Sequence, residues 1–239
     1  MYEHLHPEKI TQTIRRLHAR VRLSFPDAGL ASVAAEVAAT AERAEQRIGA
    51  IRRPNLVLRV LVALLLLASV VLVGLYLREW FADRRHSTEV LNLAELLQTV
   101  EAVLGSAFFL GAGVLTLITL ERRLKRNKAL DAIHELRAMA HIIDLHQMHK
   151  DPGPIASTEP PEGSRGERRL SAAETTRYLD YCSEMLTLIG NLAALYVQGF
   201  NDPVVLDAVD DVAHLTTGLS GKIWQKIMIL EQFAARGDA

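Results

Sequence analysis

Two uncharged runs constrain this chain more than any other feature. Val60 to Leu77 (VLVALLLLASVVLVGLYL) is eighteen residues without a charge, and Ala102 to Leu120 (AVLGSAFFLGAGVLTLITL) is nineteen. A hydrocarbon core of about 30 Å needs roughly 20 apolar residues of helix at a rise of 1.5 Å each, so either run with a few flanking residues is long enough to span it. The runs predict transmembrane helices over 55–78 and 101–120, joined by a short external loop over 79–100. In a chain of 239 residues that removes the soluble-enzyme reading that length alone would permit.

Basic residues set the expected orientation. Arg47, Arg52, Arg53 and Arg59 precede or open the first run, and Arg122, Arg123, Lys125, Arg126 and Lys128 follow the second. The connecting loop holds Arg78, Arg84 and Arg85. Counting Lys and Arg near the spans places both termini in the cytoplasm of a multi-pass protein of the cell inner membrane.

The remainder reads as helix. Residues 1–54 carry two cytosolic helical patterns. In the first, Pro7 stands at the start and Ile10, Ile14, Leu17 and Val21 fall on one face, with spacing suited to lying on a lipid surface or docking on the protein's own bundle. After Phe25-Pro26-Asp27, where Asp27 can cap, Leu30, Val33, Val37, Ala41, Ala44, Ile48 and Ile51 form a narrow stripe rich in small residues, fit for close, coiled-coil-like contact. Residues 121–150 continue the second span without a helix breaker, and 151–170 is Pro-, Gly- and Ser-rich and reads as a flexible linker. Ser171-Ala-Ala-Glu174 has the spacing of a capping box. From there 171–239 reads as a helical hairpin or bundle that turns at Asn201-Asp202-Pro203, with Asp202 as cap, and has a candidate break at Gly218 or Gly221. In it Leu179, Cys182, Met185, Leu186 and Ile189, then Ile223, Trp224, Ile227 and Leu230, supply the apolar side. The fold class is all-α: a two-transmembrane-helix hairpin with cytosolic N-terminal helices and a C-terminal cytosolic helical bundle.

The second span has texture. Glu101, Gly105, Phe108, Ala112, Thr116 and Thr119 recur at three- and four-residue intervals, so one side is small or polar and the other is Leu, Val and Ile. Small residues let helix backbones approach closely in a membrane. Packed against the first span, the face Glu101, Gly105, Ala112, Thr116 and Thr119 is structural. Repeated around an axis, it lines a conduit, with Glu101 as a cation-attracting ring.

HELRAMAHIIDLHQMHKDP, residues 134–151 with the following proline, carries four histidines. HELRA begins like the zinc motif H-E-x-x-H but has Ala138 where the second imidazole is required. His134, His141 and Asp144 share one side of a helix and form a candidate pH-sensing or interface cluster. A weaker metal reading rests on the pairs Asp131–His134 and Asp211–His214, whose three-residue spacing suits carboxylate-bridged bundles. The single Cys182 cannot form an intramolecular disulfide and lies in an apolar stripe, which suits a packed thiol. No G-x-S-x-G, CxxC or GxGxxG occurs, and Gly218-Leu-Ser-Gly221-Lys222 has the wrong spacing for a phosphate loop.

These residues point to a non-enzymatic protein without cofactor or metal. Its expected partners are the lipid bilayer, copies of itself and a cytosolic protein; a net charge of −1 argues against nucleic acid. The alternatives are an oligomeric two-span channel or pore-forming effector, and a metal-binding helical-bundle enzyme. The layout of cytosolic helices around a two-span hairpin is similar to that of two-span membrane effectors in bacterial defence and signalling systems. That resemblance implies oligomerisation and carries no site residues.

Overall fold

The computed structural model describes residues 5–84, 93–148, 170–198 and 200–237. Among them all regular structure is helical, in six helices: α1 Pro7–Ser24, α2 Gly29–Arg52, α3 Leu56–Arg84, α4 Leu93–Met148, α5 Ala172–Ala194 and α6 Pro203–Gly237. α3 and α4 are long and apolar enough to cross a membrane. Contacts divide the chain into two units. One comprises residues 1–52 and 126–239, and the other residues 53–125.

The first unit is a helical bundle with an ordinary core. α1 packs on α2 and α5, α2 on α5, and α5 on α6. Ile10, Ile14, Leu17 and Val21 of α1 are all buried, so its apolar face is spent on the protein's own core and the docked reading holds. The stripe on α2 is buried throughout, from Leu30 to Ile51. Its small residues serve contacts within the chain and leave nothing for a second copy. From α4 the core takes Ile133, Leu136, Met139, Ala140 and Ile143.

The helix ends follow local chemistry. Pro7 occupies the first turn of α1, where its missing N–H costs nothing. Phe25 ends α1 and is anchored between Tyr178 and Tyr181, edge-on at 5.5 and 6.2 Å. α2 begins at Gly29, two residues past Asp27. Ser171 and Glu174 form a complete capping box on α5. Asp202 caps α6, its Oδ1 accepting from the N–H groups of Val204 and Val205 at 3.1 and 3.4 Å.

Three expectations are corrected. α6 does not break at Gly218 or Gly221: the buried series Val205, Val209, Val212, Thr216, Leu219, Ile223, Ile227 and Leu230 crosses both glycines without a change of register, and packing along that seam outweighs about 1 kcal/mol of helix propensity per glycine. Trp224 falls one position off that seam and is 57% exposed. α3 and α4 run further into 79–100 than a loop would allow, to Arg84 and from Leu93; residues 85–92 lie outside the described residues. The linker over 151–169 lies outside them too, while Leu170 packs against the core.

Ion pairs tie the bundle together on its half-buried rim. Glu135 of α4 accepts from Arg43 at 2.8 Å and Arg47 at 2.6 Å, both on α2. Arg126 of α4 donates twice to Asp202 Oδ2, at 2.9 and 2.8 Å. At the other end of α4, Lys226 of α6 donates to the carbonyl of Gln147 at 3.1 Å. A cation from a neighbouring helix there meets the negative end of the helix dipole.

Candidate functional site

The apolar pair, residues 53–125, has no core comparable with the bundle's. None of the eighteen-residue apolar window of either helix is buried. Leu64 is 57% exposed, Leu72 67% and Phe108 72%. Burying a Leu, Val or Phe side chain is worth about 1.5–3 kcal/mol. The apolar side chains on these two helices therefore forgo stabilisation on the order of tens of kcal/mol in water. A water-soluble helix of this composition would be a buried one.

Partial burial falls on one stripe of each helix. On α3 the half-buried positions are Leu58, Val62 and Ser69, with Leu65 completing the spacing of three and four; on α4 they are Leu110, Gly113, Val114, Leu117 and Glu121. A Cβ added at Gly113 would sit 3.5 Å from Leu65 Cδ2, an ordinary contact. At 100° per residue this stripe lies on roughly the opposite side of α4 from the small and polar face. Glu101, Ala112, Thr116 and Thr119 are exposed; Gly105 is half-buried, with nothing near enough to touch a side chain there. α3 thus does not cover the face that the sequence singled out, and among the described residues it is left open.

That face is also less polar than its composition suggests. The hydroxyls of Thr116 and Thr119 donate to the carbonyls of Ala112 and Leu115, each at 2.8 Å. Ser69 and Ser106 do the same to Leu65 and Ala102. A hydroxyl bonded to its own helix needs neither water nor a partner in hydrocarbon. Glu101, at the end of the face, is the one ionisable group on it.

One polar tie closes the pair. Glu121 Oε1 accepts the backbone N–H of Asn55 at 3.2 Å, at the start of α3, and lies 3.0 Å from Lys125 Nζ. The Lys125 ammonium, the Asn55 amide and the nearby Arg59 hold the Glu121 carboxyl below the usual carboxylate range, outweighing its desolvation. A carboxylate at a helix N-terminus meets orphan amides and the positive end of the helix dipole. Sequence reasoning missed this tie. Its signal was present in the first acid after the second apolar run and the Pro54-Asn55 break before the first.

In the bundle, His134 and His141 are exposed on α4, opposite the buried Leu136, Met139, Ala140 and Ile143. Asp144 is half-buried and accepts from Gln147 Nε2 at 2.6 Å, so it is engaged along its own helix. His146 packs elsewhere: its Cε1 lies 2.7 Å from where a Gly29 side chain would begin. Asp211 faces Arg137 at 3.7 Å, and among the described residues no three His, Cys, Asp or Glu side chains gather as a metal would require. Cys182 is fully buried, and burial pushes its thiol up to about 12 against a small opposing pull from Lys226. It is a packed thiol at neutral pH.

A groove of about 550 Å³ runs between α5 and α6, lined by the buried Ile227 and Leu230 and the exposed Ala173, Arg177, Trp224 and Glu231. Comparison with known proteins gives no matching family model, no matching characterised protein and no matching solved structure.

Proposed function

We propose that this chain is a two-span integral membrane protein of the cell inner membrane, with both termini cytoplasmic, that self-associates through the open face of α4. The observation that carries the membrane reading is that two long apolar helices have none of their apolar windows buried, in a chain whose bundle buries its own apolar stripes. Lipid is the solvent in which that exposure costs nothing. The excess of Arg and Lys at the 53–59 and 121–125 end supports the orientation.

Self-association is supported by which face of α4 is left open. α3 occupies the Leu110–Leu117 side, so Gly105, Ala112, Thr116 and Thr119 are available to a second copy. Small residues favour close packing there, and their satisfied hydroxyls remove the need for a water-filled conduit. The role is non-enzymatic: the cytosolic bundle binds a protein partner or senses a signal. The open groove edged by Trp224, Arg177 and Glu231 supports a protein partner, since an exposed aromatic beside charged edges suits a side chain better than it encloses a small ligand.

Cysteine cross-linking in native membranes tests this. Ala112→Cys and Thr116→Cys should each give a dimer on oxidation, and Leu117→Cys, on the side held by α3, should not. Equal cross-linking at all three positions would refute the interface. Release of the chain from membranes by alkaline carbonate would refute the spans themselves.

A further inference from the structure

Of the nine bundle arginines whose side chains are described, six have a carboxylate. Arg15 pairs with Glu42, Arg20 with Glu184, Arg43 and Arg47 with Glu135, Arg126 with Asp202 and Arg137 with Asp211. The end of the apolar pair that holds residues 53–59 and 121–125 differs. It carries Arg53, Arg59, Arg122, Arg123 and Lys125 against one acid, Glu121. Glu121 is already taken by the Asn55 amide and by Lys125, with Arg59 close by. Arg53, Arg122 and Arg123 are exposed and have no carboxylate within ion-pair reach among the described residues. Over 78–101 the sequence has the reverse balance, with Arg78, Arg84 and Arg85 against Glu79, Asp83, Glu89, Glu95 and Glu101.

Four guanidiniums at one end of a helix pair, with the local acid saturated, form an anion-binding surface without an internal anion. We infer that Arg53, Arg59, Arg122 and Arg123 bind the phosphates of acidic phospholipid headgroups. The guanidinium fork matches phosphate oxygens bidentately, and a cation at an anionic leaflet gains about fivefold in affinity. The acidic residue strengthens the arrangement: Glu121 draws in Lys125 and fixes the start of α3, which keeps Arg59 at the level of Arg122 without cancelling the other charges. The inference rests on α3 and α4 crossing the membrane, because only then does this end meet headgroups.

The test uses the full chain in neutral detergent, titrated with phosphatidylglycerol or phosphatidylcholine, with bound lipid counted by native mass spectrometry. Phosphatidylglycerol should bind preferentially, and the R59Q/R122Q/R123Q variant should lose that preference by on the order of 100-fold. K9Q/R16Q/R22Q removes as much charge from exposed positions of α1 and should keep the preference. Should the triple variant fail to fold, as judged by its helical melt, R122Q alone should still lower the preference several-fold. Equal binding of the two lipids, or equal loss in the α1 variant, overturns the inference. Competition by inorganic phosphate beyond that of chloride at matched ionic strength assigns the surface to free phosphate and also overturns it. Carbonate extraction separates the premises: a chain that stays in the membrane yet shows no lipid preference refutes the headgroup surface alone. A chain that is released refutes the spanning reading, and the surface with it.

Discussion

Asp202 does two jobs with one carboxylate, and the two can be measured separately. Its Oδ1 caps α6 through Val204 and Val205, and its Oδ2 receives both donors of Arg126. The aspartate side chain is 7% exposed and the arginine 35%. Asp202→Ala removes both functions. Loss of an N-cap costs about 1 kcal/mol. Orphaning a fully buried ion costs about 3–5 kcal/mol, but Arg126 is open enough to rehydrate, which reduces that part to about 1–2 kcal/mol. The expected total is about 2–3 kcal/mol. Asp202→Asn keeps the cap and a neutral acceptor and should cost about 1 kcal/mol. Arg126→Gln leaves a carboxylate in a nearly closed site with only the α6 amides, and should cost more than Asp202→Asn. The assay is thermal unfolding of the full chain followed by helical dichroism, with Asp202→Asn/Arg126→Gln completing a double-mutant cycle. Equal loss in Asp202→Ala and Asp202→Asn would refute the capping role, and strict additivity in the cycle would refute the ion pair.

The same geometry gives a pH dependence. Burial works against the Asp202 carboxylate but is outweighed by Arg126 and the Val205 and Val204 amides, so its pKa is lowered from 3.8. Glu135 is likewise lowered from 4.5, its desolvation outweighed by Arg47 and Arg43. A lowered folded-state pKa means stabilisation that is present above the unfolded value and is lost as pH falls through the folded one. Acid unfolding below the ordinary carboxylate range should therefore be blunted in Glu135→Gln, which at neutral pH costs only about 1 kcal/mol because both guanidiniums are largely solvated. Cys182 should resist thiol reagents until the bundle opens, so rapid stoichiometric labelling of the native chain would contradict its placement. In membranes, Leu65→Cys with Gly113→Cys should be joined within the chain by a short bifunctional thiol reagent, and Leu65→Cys with Ala112→Cys should be joined much less; efficient linkage of the second pair would mean that α3 faces the other side of α4.

The bundle was legible where apolar and polar residues alternate. The stripes on α1, α2 and α5 are the buried faces, because a half-polar helix has one side that can enter a core. Local caps were legible for the same reason: Pro7, the Ser171–Glu174 box and Asp202-Pro203 act within a few residues. The contact face of α4 was not. In a helix that is apolar all round, composition gives no contrast between a side that meets α3 and a side that meets lipid, and the small residues marked a side that α3 does not cover. Trp224 was misjudged because a large apolar residue next to a seam reads like part of it. The long-range partners of Arg126, Glu135 and Glu121 have no periodic signature, since each joins residues more than sixty positions apart.

The hydroxyls on α4 bond to their own backbone, and this leaves the helix with almost no polar preference about its own axis. Thr116 and Thr119 can be turned toward any neighbour at little electrostatic cost. Azimuth is then set from one end, by the hold of Glu121 on Asn55. Replacing either threonine with valine should leave the helix facing the same way. Inserting a single residue between Gly113 and Glu121 should rotate the upstream helix by about 100° relative to that anchor, carrying its small-residue face toward α3 and changing which surface the lipid meets.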